Sequence, residues 1–202
     1  MPYPPEHRSK IRARIIRSAQ ALFNRRGFTS VSIDEVMERA GLTRGGFYAY
    51  FGTKSDLYAE AVAQGWSQWD AVSADLAAGE AARQLIDAYL SRQSFDDIEG
   101  SCPMVTLPGD VARSGQVVKR AFERVFTAVV QVFEEALRRE GGSDAKLALA
   151  IVGMCVGAMV ISRSVDNPEL ADAIRTAARI TALELGGWGE AHDTAAPTAA
   201  GD

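Results

Sequence analysis

Residues 28–57 read FTSVSIDEVMERAGLTRGGFYAYFGTKSDL and carry three helix starts within thirty positions. Ser32-Ile33-Asp34-Glu35 has the S-x-x-E form of a capping box, in which the Ser hydroxyl and the Glu carboxylate each satisfy an amide that a helix start leaves unpaired. Ile33, Val36, Met37 and Ala40 then fall at i, i+3, i+4 and i+7, one apolar face of a short helix. Gly41 supplies a left-handed turn with Leu42 packing behind it. Thr43 is placed to cap a second helix, Arg44 to Phe51, before Gly52 breaks it and Thr53-Lys54-Ser55-Asp56 caps a third. Two short helices joined by a tight glycine turn make a helix-turn-helix, whose second member enters the major groove of DNA.

The residues of that second helix suit a DNA surface. Gly45 and Gly46 each cost about 1 kcal/mol relative to Ala in a helix, so local stability does not account for the pair. Missing side chains allow the helix to approach phosphates or base edges closely. Tyr48 and Tyr50 offer hydroxyls to phosphates, while Phe47 and Phe51 are read as anchors to the core. Arg44 can reach guanine O6 and N7 or a phosphate, and Lys54 can neutralise a phosphate from the first turn of the next helix.

The run Thr43 to Phe51, followed by Gly52 to Leu57, closely resembles the recognition helix of TetR-family transcriptional repressors, and Phe28 to Leu42 matches the family as well. The motif covers roughly the first 60 residues. It implies DNA contacts from Thr43, Arg44, Gly45, Tyr48, Tyr50 and Lys54, with Tyr50 standing where many relatives carry His. It further implies a homodimer on a palindromic operator in double-stranded DNA, and a carboxy-terminal pocket whose small-molecule effector shifts the dimer between DNA-competent and incompetent states.

Charge divides the chain in the same way. The net charge is −4, yet residues 1–60 hold ten Lys/Arg against six Asp/Glu, a balance of +4 that leaves −8 for the remainder. Arg8, Lys10, Arg12, Arg14 and Arg17 cluster at the start of a first helix, Ser9 to Arg26, where they can neutralise phosphates and make binding salt-sensitive. Gly27 ends that helix.

Everything downstream reads helical, so the expected fold is all-α: a three-helix DNA-binding domain over 1–53, a larger helical ligand-binding and dimerisation domain over 54–187, and a tail over 188–202. A helix continues from Asp56 through Trp66 and Trp69 with no flexible linker. Further apolar stripes run over Leu85 to Leu90 and Val117 to Leu137. Ser143 is read as the cap of an apolar helix from Leu147, and Asn167-Pro168 opens the last helix. Leu107-Pro108-Gly109 kinks or ends a helix.

Leu147 to Ile161 has 15 residues without a charge, short of the roughly 20 apolar residues that a bilayer needs. Burial in a dimer, helped by close approach at Gly153-x-x-x-Gly157, is the reading favoured over a membrane span. Candidate ligand-lining residues are Trp66, Trp69, Phe95, Met104, Phe122, Phe126, Met154 and Cys155. Cys102, in Gly100-Ser101-Cys102-Pro103, sits where a helix begins, a position that lowers a thiol pKa and suits an electrophile or redox sensor.

No C-x-x-C, Walker loop, dinucleotide fingerprint or G-x-S-x-G is present, and His7 and His192 lie near the ends, so neither catalysis, a metal nor a cofactor is expected. Met1 to Glu6 has no apolar signal segment, which implies a cytoplasmic location. The expectation is a cytoplasmic, ligand-responsive repressor. The alternatives are a regulator triggered through Cys102, an activator, or an all-α binding protein without DNA activity.

Overall fold

The structure, a computed structural model, describes residues 5–73, 76–138 and 144–189; for residues 5 and 65–73 the backbone alone is described. In chain order the helices are α1 (Pro5–Arg26), α2 (Ile33–Arg39), a 3-10 helix (Arg44–Ala49), α3 (Lys54–Ser73), α4 (Ala78–Tyr89), α5 (Arg92–Asp96), α6 (Pro103–Thr106), α7 (Pro108–Arg113), α8 (Gln116–Ala136), α9 (Ala145–Ser162) and α10 (Pro168–Gly186). Every regular element among the described residues is helical, as the sequence pattern requires.

Local signals set most helix ends. Ser32 Oγ accepts from the Glu35 amide at 3.2 Å, and Glu35 Oε2 accepts from the Ser32 amide at 2.7 Å, so the capping box is complete. At the other end of α2, Gly41 has φ +66°; its amide donates to Glu38 O and that of Leu42 to Met37 O, both at 2.8 Å. This pair of bonds is the Schellman turn, which needs a left-handed residue and so favours Gly. Asn167 caps α10 through its bond from the Leu170 amide, with Pro168 in the first turn. Leu107 separates α6 from α7, and Pro108 opens the latter, as expected for a break there.

Some boundaries differ from expectation. The first helix begins at Pro5 rather than Ser9. Asp144 caps α9 by accepting from the Leu147 amide at 3.0 Å, whereas Ser143, the expected cap, lies outside the described residues. Gly187 closes α10 with φ +71°, and the Trp188 amide then donates to Leu183 O at 2.9 Å. That turn carries Trp188, assigned from sequence to the tail, back against Phe133 with ring centroids 5.8 Å apart. Residues 190–202 lie outside the described part.

Two apolar cores result. One joins α1, α2, the 3-10 helix and the start of α3 around Phe23, Met37, Phe47, Leu57 and Tyr58, and continues into Leu107, Val111 and Val118. The other joins α4, α6, α8, α9 and α10 around Ile86, Met104, Phe133, Ile151 and Met159. The α8 helix runs through both, with Val118 and Ala121 in the first and Val129, Val130 and Phe133 in the second. Head and body are therefore joined by continuous packing, most of it between α3 and α8. The head core also reaches beyond residue 53, the expected domain boundary, to Leu57, Tyr58 and Val62 on α3.

Candidate DNA interface and effector cavity

The second helix of the helix-turn-helix is a 3-10 helix over Arg44–Ala49 rather than an α-helix to Phe51. The bonds that define it run three residues back, Gly46 N to Thr43 O at 3.1 Å and Tyr50 N to Phe47 O at 2.9 Å. Thr43 makes no side-chain cap bond. With two consecutive glycines contributing little α preference, a short 3-10 segment suffices to keep Phe47 fully buried and Phe51 3% exposed. Both aromatic anchors inferred from the sequence are thus in the core.

The remaining residues face outward in different degrees. Tyr48 is 65% exposed, with its ring edge-on to Phe47. A Cβ built at Gly45 would meet nothing within 4 Å, so this stretch of backbone is open to an approaching surface; one at Gly46 would touch Met37 at 3.6 Å. Arg44 is exposed and its Nη1 donates to Asp34 Oδ2 at 2.9 Å. Tyr50 is half-buried. Lys54 stands in the first turn of α3, as its position in the sequence predicts, and has partners within the head. Its ammonium donates to the Phe28 carbonyl at 2.5 Å and stands 4.3 Å from the centroid of the Phe28 ring, and burial lowers its pKa. The turn after α1 delivers that carbonyl and ring to the start of α3, so Lys54 ties the head together.

The basic cluster of α1 also divides. Arg8 donates to Ala49 O at 2.8 Å, and Arg12 pairs with Glu60 while lying over the Phe51 ring. These two arginines brace the 3-10 helix. His7, Lys10, Arg14 and Arg17, at i, i+3, i+7 and i+10, line one groove together with Leu42, Thr43, Gly46 and Tyr50. Cations and the helix-turn-helix thus share one face, which is the arrangement that phosphate contact beside base contact requires.

In the body, a cavity of about 310 Å³ lies among α4, the segment 94–104, α8 and α9. Its walls are mostly apolar, from Leu85, Ile86, Met104, Val129, Phe133, Val152 and Val156, with Tyr89, Cys102 and Cys155 adding polar groups. Of the residues expected from sequence, Met104, Cys102 and Cys155 are placed here. Phe122 and Phe126 belong to the same face of α8 as Val129 and Phe133, but lie nearer its start and pack half-buried against the cores. Phe95 packs against the guanidiniums of Arg92 and Arg175, and Met154 is half-buried next in sequence to the cavity-lining Cys155. Trp66 and Trp69 lie where side chains are not described. Apolar periodicity identified the faces, but it carries no information about where along a face packing leaves a void.

The cavity's polar groups have distinct states. The Tyr89 hydroxyl on the wall, and Nη1 of Arg163, which is not a wall residue, are buried without a hydrogen-bond partner among the described residues. The rest of the Arg163 guanidinium donates to the carbonyls of Ser94, Phe95 and Asp97. Burial pushes the Cys102 thiol up to about 11 and the Cys155 thiol to about 12. Cys102 does stand at the start of α6, but desolvation outweighs any lowering from that position, and its thiol is protonated at neutral pH.

One segment joins the cavity wall to the head through bonds that the sequence pattern did not indicate. Asn24, buried near the end of α1, donates through Nδ2 to the carbonyls of Glu99 at 3.0 Å and Ser101 at 2.7 Å, while its Oδ1 accepts from Thr106 at 2.8 Å. The Glu99 carboxylate takes Arg39 of α2 at 2.5 Å and Arg25 of α1 at 3.3 Å, and these bonds hold its pKa below the usual range. Asp110 accepts from the Phe28 amide at 2.8 Å. Gly100, Cys102 and Met104 of the same segment line the cavity.

The geometry agrees with relationships found by comparison. Residues 15–61 match the family described as bacterial regulatory proteins, tetR family, and residues 78–178 match the transcriptional regulator LmrA/YxaF-like C-terminal domain. The regulator LmrA of Bacillus subtilis is 27% identical over 166 residues, covering 77% of this chain and 88% of LmrA. Two shorter matches have higher identity: YfiR of B. subtilis is 33% identical over 60 residues, covering 30% of this chain and 29% of YfiR, and AcrR of Shigella flexneri is 43% identical over 49 residues, covering 24% and 23%. In fold, the chain is similar to reduced NemR of E. coli, with TM-score 0.72, 16% identity and coverage of 87% and 96%. A TetR-family regulator from Agrobacterium tumefaciens gives 0.71, 19%, and 86% and 98%. Head, body and their order along the chain agree with one grouping, and the protein belongs to the TetR family of transcriptional regulators.

Proposed function

We propose that the protein is a cytoplasmic, dimeric repressor that holds a palindromic operator and releases it when a small molecule enters the body cavity. The observation that carries the DNA half is the groove in which Thr43, Gly46 and Tyr50 stand with Lys10, Arg14 and Arg17, next to exposed Arg44 and Tyr48. Thr43, Arg44 and Gly45 lie nearest the bases in this reading, and Tyr48, Tyr50 and the α1 cations contact phosphates.

Dimerisation is supported by an uncovered apolar face. Leu149, Gly153, Gly157 and Ile161 follow one another at four-residue spacing on α9; Leu149 and Ile161 are about half exposed, and a Cβ at either glycine would meet nothing within 4 Å. Leu170, Ile180 and Leu185 add exposed apolar surface on α10. The other face of α9, with Ile151, Val152, Cys155 and Met159, is buried in the body core. An α9 and α10 interface covers the outer face, so the helix that is apolar enough for a bilayer needs none.

The effector half rests on the cavity and on the segment that leaves it for the head. A mostly apolar molecule with one hydrogen-bond acceptor suits the walls and the unpartnered Tyr89 hydroxyl. An occupant pressing on Cys102 and Met104 displaces the carbonyls that Asn24 holds, which strains the α1 and α2 contacts. Such a ligand favours release only through unequal affinity for the two states.

Selection from a pool of random DNA duplexes tests the reading. Recovery of one palindromic motif, bound by a dimer, supports it; recovery of none at several salt concentrations counts against sequence-specific regulation. A promoter fusion then separates repression from activation. A thiol-triggered response is the second reading, favoured by the two cysteines on one cavity. Loss of an oxidant response in Cys102→Ser supports that route, while an intact effector response in the same variant supports displacement by a ligand.

A further inference from the structure

We infer that Asp34 is a specificity-determining residue, which orients Arg44 for a guanine in the major groove; this rests on the DNA-binding reading above. Asp34 lies in the first turn of α2 but takes no part in its cap, because Glu35 makes the return bond to Ser32. Its carboxylate reaches across the turn to Arg44, the first residue of the 3-10 helix, with Nη1 to Oδ2 at 2.9 Å. Both side chains are more than half exposed, at 68% for Arg44 and 53% for Asp34. Exposed pairs of this kind add little stability. The α2 helix and the 3-10 helix are instead joined through buried Met37 and Phe47, with Leu42 packed on them.

What the pair does is fix the direction of a long cationic side chain on the reading element. Arg carries five N–H donors in a planar fork, and one held at Nη1 still presents Nη2 outward. Guanine O6 and N7 are the acceptors that such a fork matches best. A phosphate is the competing target. The Asp34 carboxylate repels it, while Lys10, Arg14 and Arg17, in the groove that Thr43 lines, supply cations for the backbone. Gly45, beside Arg44, has open space where a side chain would stand, so the base edges can come close. Ordering Arg44 before binding also removes rotamer entropy that would otherwise be lost on the DNA.

The test uses the full chain with duplexes from the random-pool selection, each compared with a scrambled duplex of equal length at two salt concentrations. In Asp34→Ala, discrimination at one G·C pair falls by about tenfold, within the range for a bidentate contact, and affinity for the scrambled duplex rises as a negative charge is removed. Arg44→Ala loses preference at that same pair, and the double variant discriminates no worse than Arg44→Ala. Asp34→Glu, which keeps the charge, restores part of the preference. Unchanged thermal unfolding of Asp34→Ala excludes a folding defect, as its exposure leads one to expect. Tighter operator binding by Asp34→Ala with unchanged discrimination would overturn the inference, since the pair would then merely compete with DNA. So would an Arg44→Ala variant that keeps every base preference. Recovery of no motif by the wild-type protein would instead sink the underlying regulator reading, and Asp34's part with it.

Discussion

In the head, helices of seven and six residues are held by a capping box, a Schellman turn and aromatic anchors. In the body, helices of 21, 18 and 19 residues are held by broad apolar stripes. Isolated helices as short as those of the head are unstable in water, so each depends on local devices, and those devices are specific residues at fixed offsets. Long helices tolerate many apolar sequences provided that a face is buried. The head is consequently a rigid presenter of a few outward side chains, whereas the body's sequence leaves room for a void and for an uncovered face. That difference suits a protein in which one part reads a fixed surface and the other accepts a variable molecule.

The largest effect expected from breaking this contrast comes from the body's outer face. Leu149→Arg combined with Ile161→Arg places two charges on the α9 stripe; light scattering is expected to report a monomer, and binding to a palindromic duplex is expected to be lost. A dimer that persists would move the interface elsewhere. Next is Asn24→Ala, at the joint between the regions. It leaves the Glu99 and Ser101 carbonyls and the Thr106 hydroxyl without their partner, and an unsatisfied buried group costs about 1–3 kcal/mol. The melting temperature should fall, and effector-driven release should weaken while operator affinity without effector is retained. Equal loss of both affinities would mean that Asn24 is merely structural.

A smaller effect is expected at the end of the body. A Cβ at Gly186 runs into the Trp188 ring, so Gly186→Ala expels that ring from Phe133. The cost should be about 1–3 kcal/mol, as for other overpacked sites, with tryptophan emission shifted to the red. Unchanged emission relative to wild type would show that Trp188 does not depend on the missing side chain.

The smallest effect concerns the head's local devices. Ser32→Ala removes one half of the capping box and should cost about 1 kcal/mol, read from denaturant unfolding. The bond from the Ser32 amide, with help from Arg26, holds the Glu35 carboxyl at about 2 instead of 4.5. A carboxylate with a depressed pKa stabilises the fold fully above its unfolded value and loses that contribution as pH falls through its folded one. Glu35→Gln should therefore flatten the acid limb of stability between about pH 4.5 and 2. An unaltered limb would show that the cap bonds do not survive in solution.

The helix-turn-helix was legible in the sequence because its physics is local. Ser32, Glu35, Gly41 and the buried Phe47 and Phe51 act within a few residues of one another, and the three-dimensional arrangement realises each of them. The same locality made the order of helices in the body readable, down to Asn167 and Pro168 at the start of α10. Lys54 and Arg12 show the limit. Charge and position mark each as a phosphate contact but do not reveal its partner far away in sequence, Phe28 for one and Glu60 for the other.

Sequence by itself determined the all-α class, the reading element and the division of charge between head and body, since periodicity, caps and composition are properties of contiguous residues. Tertiary structure alone decided which cations face the groove, where α8 and α9 leave a cavity, and that Asn24 and Glu99 tie the cavity wall to the head. It also raised the pKa of Cys102 where a helix start had suggested the opposite. Voids, desolvation and long-range bonds depend on how distant segments meet, and the spacing of apolar residues along a chain does not specify that meeting.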